Sequence, residues 1–330
     1  MIKNSYLNRL LYICYVKKLT LTFLIILSAN LYSQKKYTKE FSFVNDNDLY
    51  VSTHFDRYYT NGMFFTYRYL SENHSKKTVK KIYELSIGQE MYTPFKAVVQ
   101  SVSLHDRPFA GHLFGSFSIA KFKQNSSFTK TTFQAGILGK NAFARELMEI
   151  IHNIYGFEEA VGWDYQIKDA ISLGINFNYT KNLNVNNDYF DINWSNSARL
   201  GTVYTDVSTG FISRIGLKPL ENFANTIAFN SNLNNENSSF NNEIESFFYI
   251  KPTLKLVGYD ATIEGSFLNT KSPVTYNINP LQFFLELGFK FTANKFNFGY
   301  AFVYHTKKLK SIRVPKSSIY GSIQINYQFN

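Results

Sequence analysis

Past residue 35 the chain alternates apolar and polar positions with a period of two, in segments of about ten residues. The last segment shows it best. In Tyr320-Gly-Ser-Ile-Gln-Ile-Asn-Tyr-Gln-Phe329, Ile323, Ile325, Tyr327 and Phe329 fall on one face, and Ser322, Gln324, Asn326 and Gln328 on the other. Comparable segments lie at 39–45, 61–70, 81–91, 111–122, 127–138, 168–181, 189–203, 206–217, 244–257, 281–292, 295–305 and 318–329. A further stretch, 259–268, is shorter and more polar, and single-chain bacterial barrels have even strand numbers, so it is set aside. The pattern predicts an all-β fold, a transmembrane antiparallel β-barrel of about twelve strands. Asn230–Asn242 reads as a long exposed loop. One segment breaks the alternation. Asn141–Tyr155 opens on a capping Asn and sets Phe143, Leu147, Ile150, Ile151 and Ile154 at helical spacing, which predicts one short amphipathic helix between strands.

The first 33 residues are of another kind. They carry Lys3, Arg9, Lys17 and Lys18 and no acid, then the apolar run Leu19–Leu27 and small residues at Ser28, Ala29 and Ser33. That is the layout of a secretory signal, with cleavage expected near Ser33-Gln34, and the apolar run is shorter than the roughly 20 residues a spanning helix needs. Residues 34–330 then form one barrel domain. The leader would take the only cysteine, Cys14, with it, which excludes disulfide, thiol and cysteine-metal chemistry from the rest. With 32 Phe and 24 Tyr against 7 Pro, the composition suits a lipid-facing wall with aromatic girdles. The excess basic charge is dispersed (Lys76-Lys77, Lys80-Lys81, Lys307–Lys310), which fits anionic lipopolysaccharide and speaks against nucleic acid as a partner.

Four polar clusters carry candidate chemistry. In Asn45-Asp-Asn-Asp-Leu-Tyr50, Asp46 and Asp48 project to one side of an extended chain and Asn47 adds an oxygen, a density of oxygens that suits a hard cation such as calcium. A solvated strand end is the plainer alternative. Asp56-Arg-Tyr-Tyr-Thr-Asn-Gly62 reads as a turn into a strand, with Asn61-Gly62 as the turn signal. In His105-Asp-Arg-Pro-Phe-Ala-Gly111, Asp106 and Arg107 read as a solvated ion pair. His152, on the helix, is a candidate general base, with Glu158 and Asp164 as carboxylates to orient it, and a helix-end surface His is the alternative. No His-x-x-x-His, Gly-x-Ser-x-Gly or phosphate-binding Gly loop is present.

Taken in order, Asp46–Tyr50, Asp56–Gly62, Asp106–Gly111, the helix with His152, and Gly162-Trp-Asp-Tyr-Gln166 resemble the lipid A 3'-O-deacylase family of outer-membrane barrels (LpxR type). The resemblance implies a twelve-stranded barrel with its active site between the wall and the short helix. It also implies calcium-dependent hydrolysis of the 3'-acyloxyacyl ester of lipid A. Asn47 and Asp48 would sit at the calcium site, with Asn47 also serving catalysis. Thr60 would line the pocket, His152 would activate water, and Glu158 would support it. The implied partners are lipid A or lipopolysaccharide, other outer-membrane lipid, and the barrel-assembly machinery that reads the terminal aromatic strand. Met148 departs from the Gln common in the family. That departure keeps open a non-enzymatic barrel, either pore or structural, and the same chemistry would serve a calcium-dependent phospholipase.

Overall fold

The computed structural model describes residues 36–51, 58–72, 78–95, 101–155, 161–183, 185–236, 238 and 244–330; the side chains of 152, 154 and 155 lie outside the description, as does the predicted secretory signal, 1–33. The first six strands are β1 (Lys39–Asn47), β2 (Tyr58–Leu70), β3 (Thr78–Thr93), β4 (Ala110–Lys123), β5 (Ser127–Leu138) and β6 (Ala170–Asn182). The next six are β7 (Phe190–Gly201), β8 (Tyr204–Gly216), β9 (Ser246–Asp260), β10 (Leu281–Ala293), β11 (Phe296–Thr306) and β12 (Ser317–Phe329). All twelve predicted segments are strands, most of them longer by a few residues than the alternation indicated. Each pairs antiparallel with its neighbour, and β1 pairs with β12 from Lys39↔Phe329 to Asn47↔Gly321, closing the barrel. Closure leaves no strand edge, which a hydrocarbon environment requires. The stretch set aside at 259–268 is the end of β9, a one-turn helix α2 (Ala261–Glu264) and a bridge Ser266↔Asn269. The longer helix, α1, spans Ala144–Tyr155.

The wall is inverted relative to a soluble barrel. Leu85, Ile87, Phe133, Leu173, Phe177, Val207 and Leu254 are exposed on its outside. Inside runs a ladder of ions: Arg68 reaches Glu40 at 2.8 Å and Glu84 at 3.5 Å, and Lys130 reaches Glu84 at 2.7 Å. In β12, Asn326 and Gln328 are buried while Ile325 and Tyr327 are exposed, as the alternation required. Near the chain termini the outer rings touch in series, Phe117–Tyr83–Tyr69–Tyr67–Phe329–Tyr327–Phe296–Phe298–Phe291–Phe289–Phe248, a girdle at the level of the membrane interface.

The loop after β8 corrects an expectation. Its Asn-rich part is not simply exposed: Ser231, Leu233 and Asn234 are buried, while 237 and 239–243 lie outside the described residues. Phe223 and Leu233 pack on the lumen-facing Ile82, Phe122 and Phe128. Lys80 donates to the carbonyls of Ala224 and Ser231 and to the side-chain oxygens of Asn225 and Asn234. Gln324 and Gln328 hold the loop from the opposite wall, through Asn230 and Asn232. The described part of the loop therefore lies in the lumen at the end where β1 begins and β12 ends. Arg214, 1% exposed, anchors its base to Asp191 at 2.5 Å and to Glu245 at 3.0 Å. Arg214→Met strands two buried carboxylates and lowers the unfolding free energy by about 3–5 kcal/mol, read from guanidinium unfolding in micelles. An unchanged midpoint would mean that these ions do not hold the loop.

Candidate active site

At the end opposite the termini, alternation sorts the β1–β3 residues onto two sides of the wall. Asp46, Glu90 and Tyr92 line a lumen cavity of about 210 Å³ with Arg199, Lys255 and Lys308. Asp46 accepts from the Tyr59 hydroxyl at 2.9 Å, and Gly62 leaves room for it, since a Cβ there would lie 2.1 Å from that oxygen. The expectation that Asp46 and Asp48 act together is thus corrected. Asp46 serves the lumen, whereas Asp48 opens a 3-10 turn and leaves the strand's alternation.

On the outer side stands a polar patch. Asn45 donates to the Asn61 side-chain oxygen at 2.8 Å, Asn47 to the same oxygen at 3.4 Å, and the Tyr50 hydroxyl to the Asn45 oxygen at 2.5 Å. The Asn47 oxygen caps the 3-10 turn by accepting from the Leu49 amide at 2.8 Å. That leaves one of its lone pairs for another partner. Asp48 is buried at the start of the turn. Asn61-Gly62 is not a turn, as its sequence suggested: Asn61 pairs with Asn47 and Gly62 with Asp46 inside the sheet. Thr60 is the extra residue of a bulge between Tyr59 and Asn61, and its hydroxyl meets that of Thr93 at 2.6 Å. Sequence gave no sign of the bulge, or of Asn61 and Thr93 as members of the patch.

Helix α1 lies against the same stretch of outer wall. Ala144 and Met148 pack with Met91, Phe109 and Trp163, and the Trp163 indole donates to the Met148 sulfur at 3.2 Å. Gln89 of β3 donates to the Ala142 carbonyl at 2.6 Å. Gly111 allows the approach, since a Cβ there would lie 2.6 Å from that of Ala144. Two helix expectations are corrected. Asn141 does not cap α1; its backbone N–H and side-chain amide bind Asp169, and the helix begins three residues later. Of the predicted stripe, Leu147 packs on the wall beside Ala144 and Met148, whereas Phe143 and Ile150 are exposed; Phe143 takes a left-handed conformation just before the helix and is not part of it. Asp164 is engaged by Arg145 at 2.7 Å, which also holds Glu149 at 2.7 Å. His152 falls in α1 one turn after Met148, but its side chain and the whole of Glu158 lie outside the described residues.

Two loop cations stand at this rim. Burial lowers the pKa of Arg107 from its usual value, against the pull of Asp260. Burial likewise brings Lys308, beside the lumen cavity, down to about 8, again opposed by Asp260. Asp106 and Arg107 are not a solvated pair: both are buried and each bonds elsewhere. A second constellation escaped the sequence. His112 contacts Glu90 at 3.0 Å through Nδ1 and Ser172 at 2.9 Å through Nε2, the spacing of a nucleophile, base and orienter. His112 at 0% and Ser172 at 2% exposure are buried behind Glu90, which alone of the three lines the lumen cavity, so they read as a structural polar network.

The family described as outer membrane protein LpxR matches residues 19–329. The chain belongs to the LpxR family. LpxR from Salmonella typhimurium superposes with a TM-score of 0.69 at 16% identity, covering 88% of this chain and 100% of that one. The β domain of the Bordetella autotransporter BrkA reaches only 0.46 at 7% identity, over 89% of this chain and 99% of its own. A comparison with curated proteins gave no match. As an LpxR-family barrel, the protein resides in the outer membrane, and α1 is the helix between strands that the sequence predicted. Met148→Ala removes the side chain joining α1 to Trp163 and weakens docking by about 2–5 kcal/mol. The expected result is faster hydrogen exchange at residues 144–151 with unchanged protection in the strands; protection kept in α1 would show that Met148 does not anchor it.

Proposed function

We propose that this LpxR-family protein is a lipid A deacylase that hydrolyses the 3'-linked acyloxyacyl ester by water attack. The observation that supports this reading is that Asn47 and Asn61 bond on the outer face of the wall, where Asn61 lies opposite Met91, the residue against which α1 packs. An ester that stays in the outer leaflet reaches such a site sideways, whereas the lumen cavity at this end is lined by charged side chains that suit no acyl chain. Exposed Lys271, Lys310 and Lys316 on the loops of the same end suit the phosphates and sugars of a lipid A headgroup.

Calcium fits the donors available. Asp48 offers a carboxylate and Asn47 a carbonyl oxygen with a lone pair to spare, both hard ligands, and waters would complete the shell. When bound, calcium supplies positive charge for the ester oxygen as it becomes an oxyanion. Asn61 fixes the Asn47 amide so that its oxygen, not its nitrogen, is presented at the turn. His152 acts as general base: it takes a proton from the water whose oxygen attacks the ester carbonyl carbon, then returns a proton to the departing sugar hydroxyl. Glu158 holds the imidazole in the required tautomer, and Thr60 borders the pocket. Met148 supplies packing where the family commonly has an amide, so α1 is held by apolar contact on this side.

The test is mass spectrometry of lipid A and of glycerophospholipid incubated with the purified barrel, wild type and His152→Ala, with calcium or with chelator. Loss of the acyloxyacyl group is expected, slowed by about 10²–10⁴-fold in His152→Ala and abolished by chelator. Cleavage of glycerophospholipid alone would assign the protein to a phospholipase reaction. Intact lipids throughout, from a folded barrel, would overturn the enzymatic reading.

A further inference from the structure

Tyr58 begins β2 with a φ of 64°, in the left-handed region that bulky side chains seldom enter. Such a conformation persists only where its surroundings dictate it. Here the residue is gripped at both ends from one loop. Its hydroxyl donates to Asp106 Oδ2 at 2.9 Å, and its carbonyl accepts from Arg107 Nη1 at 3.1 Å. The other Asp106 oxygen accepts from the Phe95 amide at 2.9 Å, two residues past Thr93. Arg107 also donates to Thr262 Oγ1 at 3.0 Å and lies 4.2 Å from the centre of the Tyr92 ring. Both residues are buried, 3% and 2% exposed. The two neighbours thus pin the start of β2 and the end of β3, the segments that carry Thr60 and Thr93.

Between those anchors the sheet has a bulge, with Tyr59 opposite Tyr92 and Asn61 opposite Met91, and Thr60 left over. Bulges re-aim side chains beside functional sites. With Tyr59 committed to the lumen through Asp46, the register of the bulge decides which way Thr60 turns. We infer that Asp106 and Arg107 are positioning residues, which hold Tyr58 left-handed so that the bulge delivers Thr60 to Thr93 on the outer face of the wall. Their importance to catalysis rests on the proposed deacylase reading; their effect on geometry does not. A lysine at 107 would keep the charge and lose the fork that bonds Tyr58 and Thr262 together.

The experiment uses the full chain with Cys14→Ser, Thr60→Cys and Thr93→Cys, folded in outer membranes and oxidised with diamide, the disulfide being scored over time. Hydroxyl oxygens 2.6 Å apart place the two thiols within bonding reach, so rapid cross-linking is expected. Adding Arg107→Met or Tyr58→Phe should slow cross-linking by about tenfold or more for the former and less for the latter, since disulfides tolerate little displacement. Heat-modifiable gel mobility must report a folded barrel in each case; if Arg107→Met does not fold, Tyr58→Phe, which deletes the bond to Asp106 and keeps the ring, decides. Cross-linking at the parental rate in the folded variants overturns the proposal. In a parallel arm without the cysteines, Tyr58→Phe and Arg107→Lys should lower kcat on lipid A while KM holds. A parental barrel that leaves lipid A intact defeats the deacylase reading, and the cross-linking rates still decide the clamp.

Discussion

Inside a hydrocarbon layer every backbone N–H and C=O must find its partner within the protein, and the pairing of β1 with β12 completes that requirement for this chain. The rest follows from the closed wall. Side chains can point only to lipid or to lumen, so the apolar half of each strand faces out and the ionic half faces in. Under that rule a polar residue on the outer face needs an explanation. Asn45, Asn47 and Asn61 provide a case of such residues, and they bond one another beside the helix that lies on the wall.

The helix and the patch depend on each other through small residues and packing. Gly111 lets α1 approach β4, and Met148, Trp163 and Phe109 fill the space between helix and wall. Motifs far apart in sequence meet here. The Asp-Arg of the loop after β3 grips the first residue of β2, and Gly62 makes way for the Tyr59–Asp46 bond on the other side of the wall. The lumen wall and the outer polar patch are therefore held by contacts on both sides of the same strands.

Most of the fold was legible because period-two alternation is a direct consequence of a two-sided wall; all twelve strands announced themselves that way. What failed was whatever depends on the chain meeting a distant part of itself. Asn-rich composition said loop, and only the lumen-facing Ile82, Phe122 and Phe128 turn it into a plug. Asn-Gly said turn, but closure of β1 on β2 puts Asn61 and Gly62 in mid-sheet. Phe143 and Ile150 looked like a core-facing stripe, yet beside a membrane an apolar side chain need not be buried in protein. For the candidate site, the oxygens of Asn47 and Asp48 and the family resemblance, which adds Thr60, supplied the proposal, and the structure sets Asn47 against Asn61 on the outer face. The bulge and the buried roles of Asp106 and Arg107 were not legible, since nothing local distinguishes a solvated ion pair from two buried side chains bonded elsewhere.

The central claim is that the chemistry takes place on the lipid side of the wall while the lumen is only a brace. The most direct measurement places a photo-activatable benzophenone side chain at Phe143, exposed at the start of α1, or at Tyr320, which lines the lumen cavity, and irradiates the barrel in membranes containing lipopolysaccharide. The account predicts adducts carrying lipid A acyl chains from position 143 and none from position 320. Adducts from 320 with none from 143 would contradict it, because the substrate would then be entering the barrel.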